Sequence, residues 1–387
     1  MKKTLLTICL TWMCFSLSAQ KIIDLSGKWS FSIDRQDNGE KEKWFSHTLN
    51  DCINLPGSMP EKLKGDEVTA KTQWTGSLYD SSYYYNPYME KYRKEGNIKF
   101  PFFLTPDKHY VGAAWYQKEV NIPADWKGER ILLFLERPHI ETTVWVNGQK
   151  TGMQNSLCVP HQYDITRYVR PGKCTITIRV DNRIKEINVG PDSHSITDQT
   201  QGNWNGIVGR ICLQTTPKTY FDDIQIYPEP EQKLARVKVV IKGTGTAKVK
   251  LSAESFNTDK KHIVPAIQQE IKLNKGVTET EMVLPMGNDM LLWDEFHPAL
   301  YKLKAEVTNG KKTEIKEIQF GMRRFEIKGK WFYVNGRKIY IKGTNWVPLD
   351  ALHSRDPQHL QKTLEMAADL NCNMLRCWGG NVYESDA

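Results

Sequence analysis

Five residues stand out as carriers of polar and aromatic chemistry: Asp198, Asn345, Trp346, Arg376 and Trp378. A carboxylate such as Asp198 accepts hydrogen bonds from two hydroxyls, and an amide such as Asn345 both donates and accepts. A guanidinium such as Arg376 holds a facing carboxylate ionised and oriented. Trp346 and Trp378 each follow a stretch read as a strand, and present flat apolar faces. Each residue also has a plain structural reading: an Asx-turn for Asp198, loop capping for Asn345, a salt bridge for Arg376, core packing for the two tryptophans. Trp204 with Asn205-Gly206 reads as a packed turn, and Trp29 and Trp145 read as core.

Other chemistries lack their residues. The nine histidines show no i,i+4 or clustered spacing for a metal set, so His161, His194, His297 and His353 read as loop or core residues. There is no glycine-rich phosphate loop and no G-x-S-x-G turn. Cys372 and Cys377 lie five apart, without a second pair or a histidine cluster beside them. No metal and no cofactor is therefore expected.

A chain of 387 residues that is 40% hydrophobic and 25% charged can build large cores, and its length suits two to three domains. The formal charge is +8, and removing Lys2 and Lys3 with a leader leaves +6. No Lys/Arg run of the kind that grips phosphate backbones is present, so no nucleic-acid partner is expected. The leader is MKKTLLTICLTWMCFSLSA at 1–19: a basic start, an apolar run and small residues before Gln20. That pattern predicts a signal peptide cleaved after Ala19 and export to the periplasm or beyond. No other stretch reaches the ~20 apolar residues of a spanning helix. Six cysteines remain (Cys52, Cys158, Cys174, Cys212, Cys372, Cys377), too sparse for a disulfide scaffold, and buried free thiols are expected.

The elements that must position the five candidates are mostly strands. ILLFL at 131–135 reads as buried, and TTVWV at 142–146 runs into Asn147-Gly148, a hairpin signal. CTITIRV at 174–180 alternates apolar and polar residues, predicting a half-buried strand. Residues 56–110, including SSYYYNPY, read as a long ordered loop or insertion. After the proline-rich joint YPEPEQK, short alternating strands such as VKVVI, VKLSA and YKLKAEV predict a seven-strand immunoglobulin-like sandwich. From about Arg323 the pattern changes to a hairpin, a strand at 339–342, a helix capped by Asp356 with Pro357 in its first turn, and a strand near 373–378. Strand, helix, strand predicts the opening of a parallel α/β domain.

The whole order resembles glycoside hydrolase family 2, which includes β-galactosidases, β-mannosidases and β-glucuronidases. The resemblance rests on YVGAAWYQKEVNIP at 110–123, VWVNGQKTG at 144–152, TDQTQGNWNGIVGRICL at 197–213, LWDEFHPALYKL at 292–303, FGMRRFEI at 320–327, NGRKIYIKGTNW at 335–346 and NMLRCWGG at 373–380. It implies a mainly β chain. A signal peptide at 1–19 is followed by a jelly-roll-like sugar-binding sandwich at 20–218 and an immunoglobulin-like sandwich at 219–322. The truncated start of a (β/α)8 barrel occupies 323–387.

It further implies retaining hydrolysis of terminal sugars from a glycan, most often a β-galactoside, by two glutamates about 5 Å apart. Those glutamates belong to later barrel strands, so no catalytic residue is expected within this sequence, and the chain alone is expected not to hydrolyse. Arg376 would face the nucleophile, Trp346 and Trp378 would stack on sugar faces, Asn345 would meet hydroxyls, and the Asp198 loop would reach the sugar. A carbohydrate is thus the expected partner. The competing reading is a non-catalytic carbohydrate-binding protein derived by truncation.

Overall fold

The computed structural model describes residues 20–76, 81–102, 105–157, 159–185, 193–347 and 357–378. They fall into two compact units, one built of Lys21–Thr215 with the stretch from Tyr340 onward, the other of Thr216–Ile339. The expected leader and the Asp356 cap lie outside the described residues.

The first unit is a sandwich of two antiparallel sheets. One has six strands in the order Gln149–Asn155, Glu141–Val146, Gly172–Asp181, Ala113–Ile122, Gly27–Asp34 and Asp51–Leu55. The other runs Ile22–Asp24, Gly206–Thr216, Arg130–Pro138, His161–Asp164, with Gly57–Ser58 added on Gly206–Thr216. Their inner faces interdigitate Phe31, Tyr116, Leu133, Leu135, Val144, Ile178 and Leu213 in one continuous core. The Asn147-Gly148 hairpin forms as the sequence predicts, with both residues at positive φ (50° and 76°), which suits the twist of the flanking strands.

One expectation is overturned here. The strand Gly172–Asp181 is buried on both faces, because Thr177, Arg179 and Asp181 are covered as fully as Ile176 and Ile178. The 3-10 turn Trp44–Ser46 supplies the cover: Phe45 stacks on Trp145 at 5.2 Å, and Trp145 stacks on Trp115 at 4.9 Å. Trp29 and Trp145 are buried, as core residues should be.

The described residues between 56 and 110 gather around their own aromatic cluster. Trp74 meets Phe100 and Phe102 edge-on at 4.8 and 4.9 Å, and Tyr83 stacks on Phe100 at 4.7 Å. A two-stranded ladder, Asp66–Glu67 against Lys108–His109, closes the base of the insertion.

The same unit contains Gly343–Trp346, the helix Pro357–Asp369 and Met374–Cys377, and the two strands pair in parallel. The helix begins at Pro357, whose missing N–H costs nothing there. The strand expected at 339–342 is displaced. Ile339 instead ends Arg337–Ile339, which pairs back on Trp331–Val334, and the parallel strand starts at Gly343.

The second unit holds the seven-strand sandwich. Tyr220–Glu229, Leu234–Lys242 and Val277–Pro285 form one sheet, and Ile263–Leu273, Gly245–Ser255, Tyr301–Asn309 and Lys312–Phe320 the other. Its core takes alternate residues from each strand, such as Val237, Val239 and Ile241 or Tyr301, Leu303, Ala305 and Val307. All five cysteines among the described residues are free, but only Cys174 and Cys212 are buried; Cys52 and Cys377 are exposed, against expectation, and Cys158 lies outside the described residues.

Candidate functional site

Four of the five candidate residues meet at the carboxyl ends of the parallel strand pair. Asn345 stands opposite Arg376 and Trp346 opposite Cys377. The Arg376 guanidinium donates to Asn345 Oδ1 at 3.3 Å, and both side chains are exposed. One step further, the Trp378 N–H donates to the Trp346 carbonyl at 3.1 Å, so the backbone ladder continues past the strand ends to these two half-buried tryptophans. Parallel strands present their ligand-facing groups at this end.

The fifth residue reaches the same place indirectly. Asp198 lies in the loop 193–203, and His194 of that loop sets its ring edge-on to Trp378 at 5.3 Å. Asp198 itself is only 2% exposed. Its Oδ1 accepts from the Asn203 N–H at 2.9 Å, and its Oδ2 accepts from the Thr75 N–H at 2.6 Å and from His109 Nε2 at 3.1 Å. Its own N–H donates to the Thr75 carbonyl at 3.2 Å. Both carboxylate oxygens are in use, so Asp198 shapes the loop and ties it to the insertion. A bond to an incoming hydroxyl would require one of these donors to give way.

Two buried asparagines brace the loop from below. Asn182 donates to the Tyr110 and Asn203 carbonyls at 2.9 and 3.0 Å and accepts from the Gly112 N–H at 2.8 Å. Asn205 accepts from Tyr116 Oη at 2.8 Å and donates to the Gly112 and Val180 carbonyls. Gly206, at φ 141°, passes so close to Gly57 that a Cβ there would sit 2.5 Å from its carbonyl oxygen. The packed turn expected at 204–206 is therefore present, with Trp204 stacked on His139 at 4.5 Å. Burial pushes His139 down to about 3, so this imidazole is neutral at ordinary pH.

A buried ionic cluster closes the outer face of the six-stranded sheet. Asp181 is fully buried and pairs with Arg179 at 3.0 Å, Arg183 at 2.5 Å and Lys185 at 2.8 Å; Asp37 bridges the two arginines at 2.6 Å each. Burial pushes the Asp181 carboxyl up, but hydrogen bonds from Arg183 and Lys185 and the Arg179 charge outweigh it and hold it well below the usual range. Beyond the insertion ladder a polar cleft of about 440 Å³ opens, lined by Arg35, Asp66, Thr72, Gln73 and His109 among others.

Thr75, His109, His194, Asn182 and Asn205 hold this region together; Asn205 has an expected place in the packed turn, whereas Thr75, His109 and Asn182 carry no sequence signature. His194 was read as a loop or core residue and is an exposed loop residue; His161 is core, His297 is an exposed loop residue, and His353 lies outside the described residues. Among the described residues no three His, Cys, Asp or Glu side chains are grouped to hold a metal ion.

Comparison with known proteins gives two family matches. Residues 22–217 match the model described as "Glycosyl hydrolases family 2, sugar binding domain", and residues 219–323 match "Glycosyl hydrolases family 2". A β-glucuronidase of Paenibacillus borealis is 24% identical over 344 residues, covering 84% of this chain and 49% of its own length. A β-galactosidase of Oenococcus oeni is 23% identical over 378 residues, covering 92% of this chain and 33% of its own length. The solved β-glucuronidase of Ruminococcus gnavus superposes with a TM-score of 0.65 at 18% identity, over 93% of this chain and 56% of that one. The chain thus spans between a third and a half of the length of these curated relatives.

Proposed function

This chain belongs to glycoside hydrolase family 2, and on that premise we propose that it is the sugar-contacting, N-terminal part of a glycosidase acting on terminal sugars of glycans. The observation that carries this reading is the meeting of the Asp198 loop with the parallel strand ends, through the His194–Trp378 contact beside the Arg376–Asn345 pair. A planar cation, an amide and two indoles at one end of a strand pair make a surface with the donors, acceptors and flat apolar faces that a pyranose needs. On this proposal the parallel pair opens a (β/α)8 barrel. The two glutamates of a retaining mechanism would come from later barrel strands, and no residue of this sequence is assigned to either. Arg376 would hold the nucleophile carboxylate ionised. The protein would be exported to the periplasm or beyond through its leader at 1–19.

The relatives named above act on β-glucuronides and β-galactosides, so both are test substrates, β-galactoside first. The test is turnover of nitrophenyl β-galactoside and β-glucuronide by protein from its native source, with intact mass measured alongside. Hydrolysis lowered at least a hundredfold by Arg376→Ala or Trp378→Ala supports the proposal. Absence of turnover, together with absence of glycan binding, overturns it. Glycan binding without turnover selects the non-catalytic reading.

A further inference from the structure

Tyrosines 83, 84, 85 and 88 share the short helical turns Ser82–Tyr85 and Pro87–Tyr92, and they are not used alike. Tyr83 is the anchor. It is buried, stacks on Phe100, donates through Oη to the Tyr92 carbonyl at 2.9 Å, and has its own carbonyl held by Arg93. Asn86 caps the second turn by accepting from the Tyr88 N–H at 2.9 Å. On this fixed base Tyr85 is 74% exposed and Tyr88 85% exposed, and among the described residues neither ring has an aromatic or side-chain hydrogen-bond partner. Two tyrosine rings this exposed, three residues apart on one anchored segment, are open to a ligand that stacks on aromatic faces.

Charge chooses the partner. Lys91 and Lys99 both lie against the Tyr92 ring, at 4.9 and 5.9 Å from its centroid, and among the described residues neither ammonium meets a carboxylate. Their loop is pinned: the Lys99 N–H donates to the Tyr92 carbonyl at 3.0 Å, and the Asn97 side chain donates to the Lys91 carbonyl at 2.8 Å. The neighbouring Lys94 is neutralised by Glu90 at 3.3 Å, and Arg93 is engaged by the Tyr83 carbonyl and ring, so Lys91 and Lys99 are the cations of this segment open to a ligand. Two ammonium groups held near one ring make a local positive field that favours an anion.

We propose that this segment is a binding surface for an acidic glycan chain, with Tyr85 and Tyr88 stacking on pyranose faces and Lys91 and Lys99 receiving a carboxylate or sulfate. The surface uses none of the strand-end residues and holds whether or not that site hydrolyses. The test is affinity electrophoresis and calorimetry of the full chain with polygalacturonate, with dextran as the neutral probe and phosphatidylglycerol vesicles as the lipid probe. Polygalacturonate should bind, and at least tenfold more weakly to Tyr85→Ala/Tyr88→Ala and to Lys91→Gln/Lys99→Gln. The lysine pair should also remove most of the salt dependence. Because all four side chains are at the surface, unchanged thermal melting shows that the variants fold. Equal binding to dextran, binding unaffected by both double variants, or preference for the vesicles overturns the proposal. Turnover of a small nitrophenyl glycoside by the native-source protein carrying the same substitutions, expected unchanged, separates its failure from failure of the glycosidase reading.

Discussion

The two sandwiches treat their outer faces in opposite ways. In the immunoglobulin-like unit, Tyr301–Asn309 buries Tyr301, Leu303, Ala305 and Val307 and leaves Lys302, Lys304 and Glu306 at the surface. Its outward charges meet as surface pairs, Lys238–Glu279 at 2.6 Å and Lys302–Glu317 at 3.4 Å, which add little to stability. In the first sandwich, Gly172–Asp181 has a second interior on its outer face, made of Trp115, Trp145, Arg179 and Asp181 under the Trp44–Ser46 turn. A covered face must pair every polar group it encloses, and in doing so it becomes a rigid base for loops. The candidate site is braced by that elaborated sandwich.

The largest test of this contrast is Asp181→Ala. It leaves Arg179 buried without its inner partner, and should cost the first sandwich about 3–5 kcal/mol, read by urea denaturation. A loss under about 1 kcal/mol would make the cluster a surface feature. Acid should separate the units next. Burial pushes His161 down to about 4 while it contacts Thr142 Oγ1 at 2.6 Å, whereas the unfolded imidazole titrates near ~6.5. The folded state therefore refuses a proton that the unfolded state accepts. This contribution is complete above about pH 6.5 and drains by about 1.4 kcal/mol per pH unit on acidification, about 3 kcal/mol by pH 4. His139, pushed down in the same sandwich, adds a like slope, so His161→Gln should remove about 1.4 kcal/mol per pH unit of the total, and an unchanged slope would refute the assignment.

Asp198→Ala strands the Thr75 and Asn203 amides and should cost about 2 kcal/mol, with faster amide exchange at those two residues and little change in the immunoglobulin-like unit. His194→Ala should cost less than about 1 kcal/mol yet shift the indole resonances of Trp378. Lys238→Ala, on the surface of the other sandwich, should leave the melting temperature where it was.

What was legible in the sequence follows the same contrast. Strict alternation over 301–307 reports its own burial, and Asn147-Gly148 reports its own turn, because both signals are local. The second interior was not legible: Thr177 and Arg179 look like solvent residues until Phe45 and Trp44, more than a hundred positions earlier, are laid over them. The parallel strand was misplaced because Tyr340 and Ile341 look more strand-like than Gly343-Thr344, yet pairing with Met374–Cys377 selects the latter. The five candidate residues could be named from type and resemblance. Their order could not, since Asp198 is set by Thr75 and His109, partners without a sequence signature.

The pairing of Ile22–Asp24 with Gly206–Thr216 places the first strand of the sandwich beside its last. During synthesis the opening strand waits for a partner roughly 190 residues downstream, and at ~5–20 residues per second that is about 10–40 s. Until then its ladder groups are unpaired, and the bond from Thr75 to Asp198, 123 residues apart, waits nearly as long. The site rim is thus assembled late by chain order alone, after most of the surface it stands on. A ribosome pausing before residue 198 would display an open sheet edge with no Asp198 loop, a form that a chaperone could recognise and a sugar could not.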